Sequence, residues 1–93
     1  MAGALGAILR HAVVTPHAGR LTSIDNRRLA RVAKLAGAPD DKAAGLELHA
    51  RLNQPVAAGE PLFTVHADNA GELDYALAYV AANPGIVTVR EDT

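Results

Sequence analysis

The segment from Gly37 to Val65, GAPDDKAAGLELHARLNQPVAAGEPLFTV, is where the chain changes period. Just before it, Leu29, Val32, Ala33 and Ala36 recur at the i, i+3, i+4, i+7 spacing of a buried helical stripe. Gly37 is placed to end that helix in a left-handed conformation, and Pro39 prevents a restart. From Leu46 the spacing becomes two: Leu46, Leu48 and Ala50 point one way, and Glu47, His49 and Arg51 the other. A helix that stops and hands over to half-buried strands demands a mixed architecture.

The flanking sequence extends the same pattern. His11–Thr15 is rich in β-branched residues and ends at Pro16, so it reads as a short strand. Pro16 to Gly19 form a turn, and Arg20–Ile24 reads as the return strand of a hairpin. Asp25 or Asn26 is the expected N-cap of a helix over Arg27–Ala36. Asn53 and Gln54 turn the chain, Val56 to Gly59 give a short extended piece and a tight turn, and Leu62, Phe63 and Val65 lie in a strand ending near Ala67. A second helix is expected from about Gly71 to Ala82, capped by Asp68 or Asn69, with Leu73, Ala76, Leu77, Val80 and Ala81 inward. Asn83, Pro84 and Gly85 stop it, and Ile86–Arg90 is a final strand. The expected order is β-β-α-β-β-β-α-β: an α+β fold, mostly antiparallel sheet covered by two helices, in one domain over residues 1–93.

Composition bounds what such a domain can do. A chain of 93 residues buries only roughly 60–65% of its unfolded surface. Its apolar content of 49% is mostly small side chains, with 3% aromatic, so Leu, Val and Ile must carry the core, aided by a partner surface. There is no cysteine, which removes disulfides and zinc–thiolate sites and fits a cytoplasmic protein. Nine basic and ten acidic residues give a net charge of −1, so nucleic acid is not an expected partner. No apolar run reaches membrane-spanning length, and no membrane partner is expected. Ala2–Leu9 is apolar but lacks a charged n-region and is short for a signal peptide; it reads as the start of a domain cut from a longer chain, or as a tail packing on a neighbour.

The polar residues form no familiar catalytic constellation. His49 and His66 lie on successive strands and could meet across a sheet, but no third ligand completes a metal site. His11 and His17 straddle the first turn. Asp40-Asp41 and Glu91-Asp92 are paired acids in a loop and at a terminus, where solvation is the ordinary state. Neither a dinucleotide fingerprint nor a phosphate loop occurs, and no elbow motif supports a nucleophile. Arg27, Arg28, Arg31 and Lys34 populate the wet side of the first helix; arginines at a helix N-terminus oppose its dipole, which favours a use outside that helix, such as acidic residues of a neighbouring domain. Tyr75 and Tyr79 are i, i+4 partners opposite the Leu73–Leu77–Val80 stripe and form a candidate interface, unless the fold wraps the helix on both sides.

Several short motifs, in order and spacing, resemble the C-terminal domain of thymidine and pyrimidine nucleoside phosphorylases over about residues 13–89. They are Ala18-Gly19-Arg20-Leu21 with Ile24-Asp25, Leu29-Ala30, Gly37-Ala38-Pro39, Lys42-Ala43-Ala44-Gly45-Leu46, and Val56-x-x-Gly59-Glu60-Pro61-Leu62-Phe63 with His66-Ala67. The GAPxDKAAG form looks closest to the archaeal-type branch, which includes AMP phosphorylases. The resemblance implies an α/β hammerhead with a barrel-sandwich hybrid. It implies a parent pentosyltransferase that cleaves a nucleoside or nucleotide N-glycosidic bond with inorganic phosphate as co-substrate and no cofactor. In that family the phosphate- and base-binding residues lie in preceding domains whose motifs this chain lacks, so the chain alone is expected to be inactive and to act as scaffold and docking surface. The resemblance also implies that the Gly37–Gly45 loop lies toward the mouth of the parent's cleft, with Asp40, Asp41 and Lys42 as candidate gating residues; the plainer reading is a solvated loop with Gly37 and Gly45 at positive φ. The rival is a biotinyl or lipoyl carrier, whose hairpin rhythm Val56–Leu62 shares. Such carriers present a lysine at a hairpin tip, and the lysines here are Lys34, on a helix, and Lys42.

Overall fold

The computed structural model describes residues 9–38 and 45–91. Their order is β1 (Leu9–Val14), β2 (Gly19–Ile24), α1 (Asn26–Leu35), β3 (Gly45–Leu48), β4 (Pro55–Val56), β5 (Pro61–Ala67), α2 (Ala70–Ala82) and β6 (Val87–Arg90). This is the expected α+β succession, and every strand pairing is antiparallel. The strands form two three-stranded sheets, ordered β1-β5-β3 and β4-β2-β6.

The expected hairpin of β1 and β2 does not form. β1 pairs with β5, while β2 pairs with β4 and β6 in the other sheet. The cause lies at Thr15, which is fully buried between the two strands. Its N–H donates to the Glu60 carbonyl (3.0 Å) and its carbonyl accepts from the Gly59 N–H (2.8 Å). Its hydroxyl donates to the His17 carbonyl (2.6 Å), and Pro16 has no N–H to offer a ladder. The turn is thereby tied to a loop more than forty positions away, and the chain crosses from one sheet to the other.

Helix α1 starts where the capping chemistry places it. Asp25 is the N-cap, and its Oδ1 accepts the Arg28 N–H at 3.1 Å. Since an N-cap aspartate satisfies an otherwise orphaned donor, Asp25→Ala should lower stability by about 1 kcal/mol, read as a fall in the urea midpoint with unchanged slope. The helix closes with the Gly37 N–H on the Lys34 carbonyl (3.0 Å) and the Ala38 N–H on the Ala33 carbonyl (3.1 Å), while Gly37 takes φ 121°. These are the two bonds of a Schellman stop, which needs a positive φ at the glycine. Helix α2 is capped by Asn69, whose Oδ1 accepts the Glu72 N–H at 2.8 Å and whose Nδ2 donates to Glu72 Oε1 at 2.7 Å.

Register assigns the faces of the first sheet. Phe63, Val65 and Ala67 of β5 lie opposite Val13, His11 and Leu9 of β1, and Leu48 and Leu46 of β3 lie opposite Phe63 and Val65. This face joins Leu29, Val32 and Ala36 of α1 and Ala76 of α2 in one core. Leu46 and Ala50 turn inward as expected, but Leu48 is 44% exposed. It ends β3, an edge strand with a neighbour on one side only. In α2, Ala76 is fully buried and Leu73, Leu77 and Val80 pack against the core, whereas Ala81 is exposed, one step of about 100° beyond Val80.

Candidate functional site

The outer face of the β1-β5-β3 sheet gathers polar side chains by the same register. Arg10 and Ala12 of β1, His66 and Thr64 of β5, and Glu47 of β3 alternate with the core residues. His66 Nε2 lies 3.4 Å from Glu47 Oε1, and His49 Nε2 shares a 2.7 Å hydrogen bond with the Thr64 hydroxyl. The two histidines therefore do not meet across the sheet. His66 is opposite Gly45, two positions from Glu47, whereas His49 lies past the end of β3 and folds over Thr64. The alternation Glu47, His49 signalled this face; its partners Thr64 and His66 could not be read without the register.

Gly45, the described residue at the end of the Gly37–Gly45 segment, borders this polar face. Gly45 has φ 148° and sits directly across from His66. The glycines that bracket the loop both adopt the positive φ expected of them, at 121° and 148°. Asp40, Asp41 and Lys42 themselves lie outside the described residues. Among the described residues no group of three His, Asp or Glu side chains could hold a metal ion.

The sequence-level interface residues divide. Tyr75 is 71% exposed, while Tyr79 is half-buried against the core and its carbonyl accepts the Asn83 Nδ2–H at 2.8 Å. Arg27, Arg28 and Arg31 are all exposed. Arg28 Nε is 3.6 Å from Asp25 Oδ2, so this arginine serves its own cap, whereas Arg27 and Arg31 make no ion pair among the described residues.

A groove of about 570 Å³ opens between the end of β1, the β1–β2 turn, the end of α2 and β6. Val14, Pro16, Leu62, Val80, Ile86 and Val89 line it, with Thr15, His17, Asn83 and Thr88 as polar members. Its lining offers no carboxylate, lysine or arginine, so it suits an apolar group better than a charged one. The Ala57–Glu60 turn, where a carrier domain would present its lysine, has none, and Lys34 lies on α1. Among the described residues no helix is long and apolar enough to cross a membrane.

A family model described as the pyrimidine nucleoside phosphorylase C-terminal domain matches residues 20–87. The chain is 57% identical over 82 residues to "Putative thymidine phosphorylase 2" of Acidovorax sp. (strain JS42), covering 88% of this chain and 16% of that relative. It is 59% identical over 73 residues to "Putative thymidine phosphorylase" of Sphingopyxis alaskensis, covering 78% of this chain and 14% of the relative. It is 46% identical over 83 residues to the protein of that name in Legionella pneumophila (strain Corby), covering 89% and 16%. The chain thus spans about one-sixth of the length of the curated relatives it matches. From β2 to the start of β6 the match follows the elements described above, and the chain belongs to the pyrimidine nucleoside phosphorylase family, as its C-terminal domain.

Proposed function

We propose that this domain serves a thymidine phosphorylase-like pentosyltransferase as a structural and docking unit. The parent reaction is phosphorolysis of a nucleoside or nucleotide: phosphate attacks C1′, the N-glycosidic bond breaks, and free base and a ribose or deoxyribose 1-phosphate leave. The observation that carries this reading is the match of residues 20–87 to the family's C-terminal domain together with identities of 46–59% to proteins named as thymidine phosphorylases. The groove lined chiefly by apolar side chains, with no lysine or arginine in its lining, supports the scaffold reading. Rate enhancement in such a reaction comes from positioning and electrostatic stabilisation of the departing base and attacking phosphate. Those groups belong to the catalytic domains of the parent.

In this reading inorganic phosphate is the co-substrate, no cofactor is used, the parent works in the cytoplasm as a homo-oligomer, and neither nucleic acid nor membrane is a partner. The Gly37–Gly45 loop approaches the parent's cleft, with Asp40, Asp41 and Lys42 as its gating residues. The supporting geometry is the pair of positive-φ glycines and the entry of the loop opposite His66. The isolated chain, given thymidine, uridine or AMP with phosphate, should release no free base by chromatography. Turnover by this chain alone would overturn the scaffold reading.

A further inference from the structure

The two sheets end in the edge strands β1 and β3 on one side and β4 and β6 on the other. An open edge is a template for another strand, and folded chains blunt it with brevity, charge or proline. β4 has only two residues and begins with Pro55. β1 carries Arg10 and His11, and β3 carries Glu47. β6 runs Val87-Thr88-Val89 before its terminal Arg90, so most of its edge has neither charge nor proline.

The contacts of β6 with β2 show which way its main chain points. The Asp25 N–H donates to the Ile86 carbonyl at 2.7 Å, the Thr22 hydroxyl donates to the Thr88 carbonyl at 3.4 Å, and a Cβ on Gly19 would collide with the Arg90 carbonyl oxygen. Ile86, Thr88 and Arg90 therefore turn their carbonyls toward β2. The register shift between Leu21 and Ser23 puts its extra residue on β2 and leaves the alternation of β6 intact. In an antiparallel pair the intervening residues point the other way, so the N–H and C=O groups of Val87 and Val89 face the free edge. Among the described residues no strand pairs with that edge. The apolar groove runs along it: Ile86, Val87, Thr88 and Val89 line the groove in succession, whereas a cavity on one face of a strand would meet every second residue.

We propose that this edge and groove accept an extended apolar segment of the parent's catalytic part, which adds a strand to the β4-β2-β6 sheet beyond β6. The inference rests on the reading of the domain as a docking unit and names the surface that docks. Val87 and Val89 exchange main-chain hydrogen bonds with the added strand, and its alternate side chains enter the groove. The lining has no carboxylate, lysine or arginine, so those side chains are uncharged and apolar. The source follows from size. The domain covers 16% of a relative whose C-terminal part it matches, so a much longer stretch of the same polypeptide is at hand to supply the strand. An edge of four residues gives a free partner little to hold. A tethered segment is present at an effective concentration of about millimolar and needs no more than that.

The test compares the isolated chain with a fusion in which it replaces the matching C-terminal part of the Acidovorax relative. Deuterium uptake over residues 86–90, read by mass spectrometry, should be at least about tenfold slower in the fusion, where a strand covers the edge. A short capped peptide alternating threonine and valine, at millimolar concentration, should shift the Val87 and Val89 amides of the isolated chain saturably by NMR. The same peptide N-methylated at its valines, which cannot pair, should leave them in place. Val89→Pro deletes an outward N–H and spares the β2 side, so it should also abolish the shift. Equal uptake in chain and fusion, or protection in the fusion that falls on dilution as a second copy would give, would overturn the proposal. So would equal shifts from both peptides, the mark of a groove that takes any apolar ligand. Phosphorolysis by the fusion reads the parent's function separately: an active fusion with an unprotected β6 sinks this inference alone.

Discussion

Phe63→Ala should cost about 3–5 kcal/mol of unfolding free energy, the largest loss expected from a single side chain here. Phe63 is 1% exposed and occupies the central strand of its sheet, with Val13 and Leu48 opposite it on either side. It is the only phenylalanine, and of the two tyrosines only the half-buried Tyr79 packs against the same core, from its edge. The domain is rich in alanine, and the helices meet the sheet through residues as small as Ala36, Ala67 and Ala76. Such a core has little flexible bulk with which to collapse into a cavity, which places the cost toward the upper part of the range. A chain of this size is stabilised by roughly 5–14 kcal/mol in total, so the variant keeps only a fraction of it. Urea unfolding followed by far-UV dichroism should show the midpoint fall sharply with the slope retained. Phe63→Leu, which keeps most of the volume, should lose no more than about 1.5 kcal/mol. Equal losses for the two variants would mean that this ring is not packed as described.

Gly19→Ala should destabilise by about 3 kcal/mol for a different reason. A Cβ on Gly19 would collide with the Arg90 carbonyl oxygen and lie 2.7 Å from its carbon. Both are main-chain atoms of β6, so no rotamer change can relieve the contact. Glycine is needed here for close approach and not for a left-handed conformation, because Gly19 is not among the residues at positive φ. In an open strand position the same change would reduce the freedom of the unfolded chain and add up to about 1 kcal/mol of stability. The collision outweighs that gain and pushes Arg90 off its partner Arg20 in the β2–β6 pair. Gly71→Ala is the control, since its nearest neighbour is the Asn69 Oδ1 at 3.4 Å and α2 gains a better helix former. Unfolding midpoints of the two variants should move in opposite directions; a neutral Gly19→Ala would show that β6 does not close on β2 in solution.

The elements themselves were legible because their signals are local. Asp25 before Leu29-x-x-Val32, then Gly37 and Pro39, encode a capped and terminated helix within fifteen residues. The alternation around Leu46 and the Asn53 turn, with φ 67°, likewise follow from residues in contact with their neighbours in sequence. The family was legible for the same reason, since the motif spacing survives in one dimension. The main missed features depend on contacts at long range. The β1–β2 turn looks like a hairpin until Thr15 bonds to Gly59 and Glu60. Tyr75 and Tyr79 look equivalent by spacing, yet Tyr79 is drawn into the core and Tyr75 is left outside.

The same division holds for the candidate site. Sequence alone determined the order of elements, the caps, the glycines that bracket the Gly37–Gly45 loop and the family to which the chain belongs, because each is encoded in short-range chemistry. Only the tertiary structure decided that β1 and β2 part company, that Glu47 meets His66 while His49 meets Thr64, and that basic α1 and acidic α2 share one outer surface. Those facts depend on strand register and helix packing, which are set by burying the whole apolar surface at once and not by any stretch of chain taken separately.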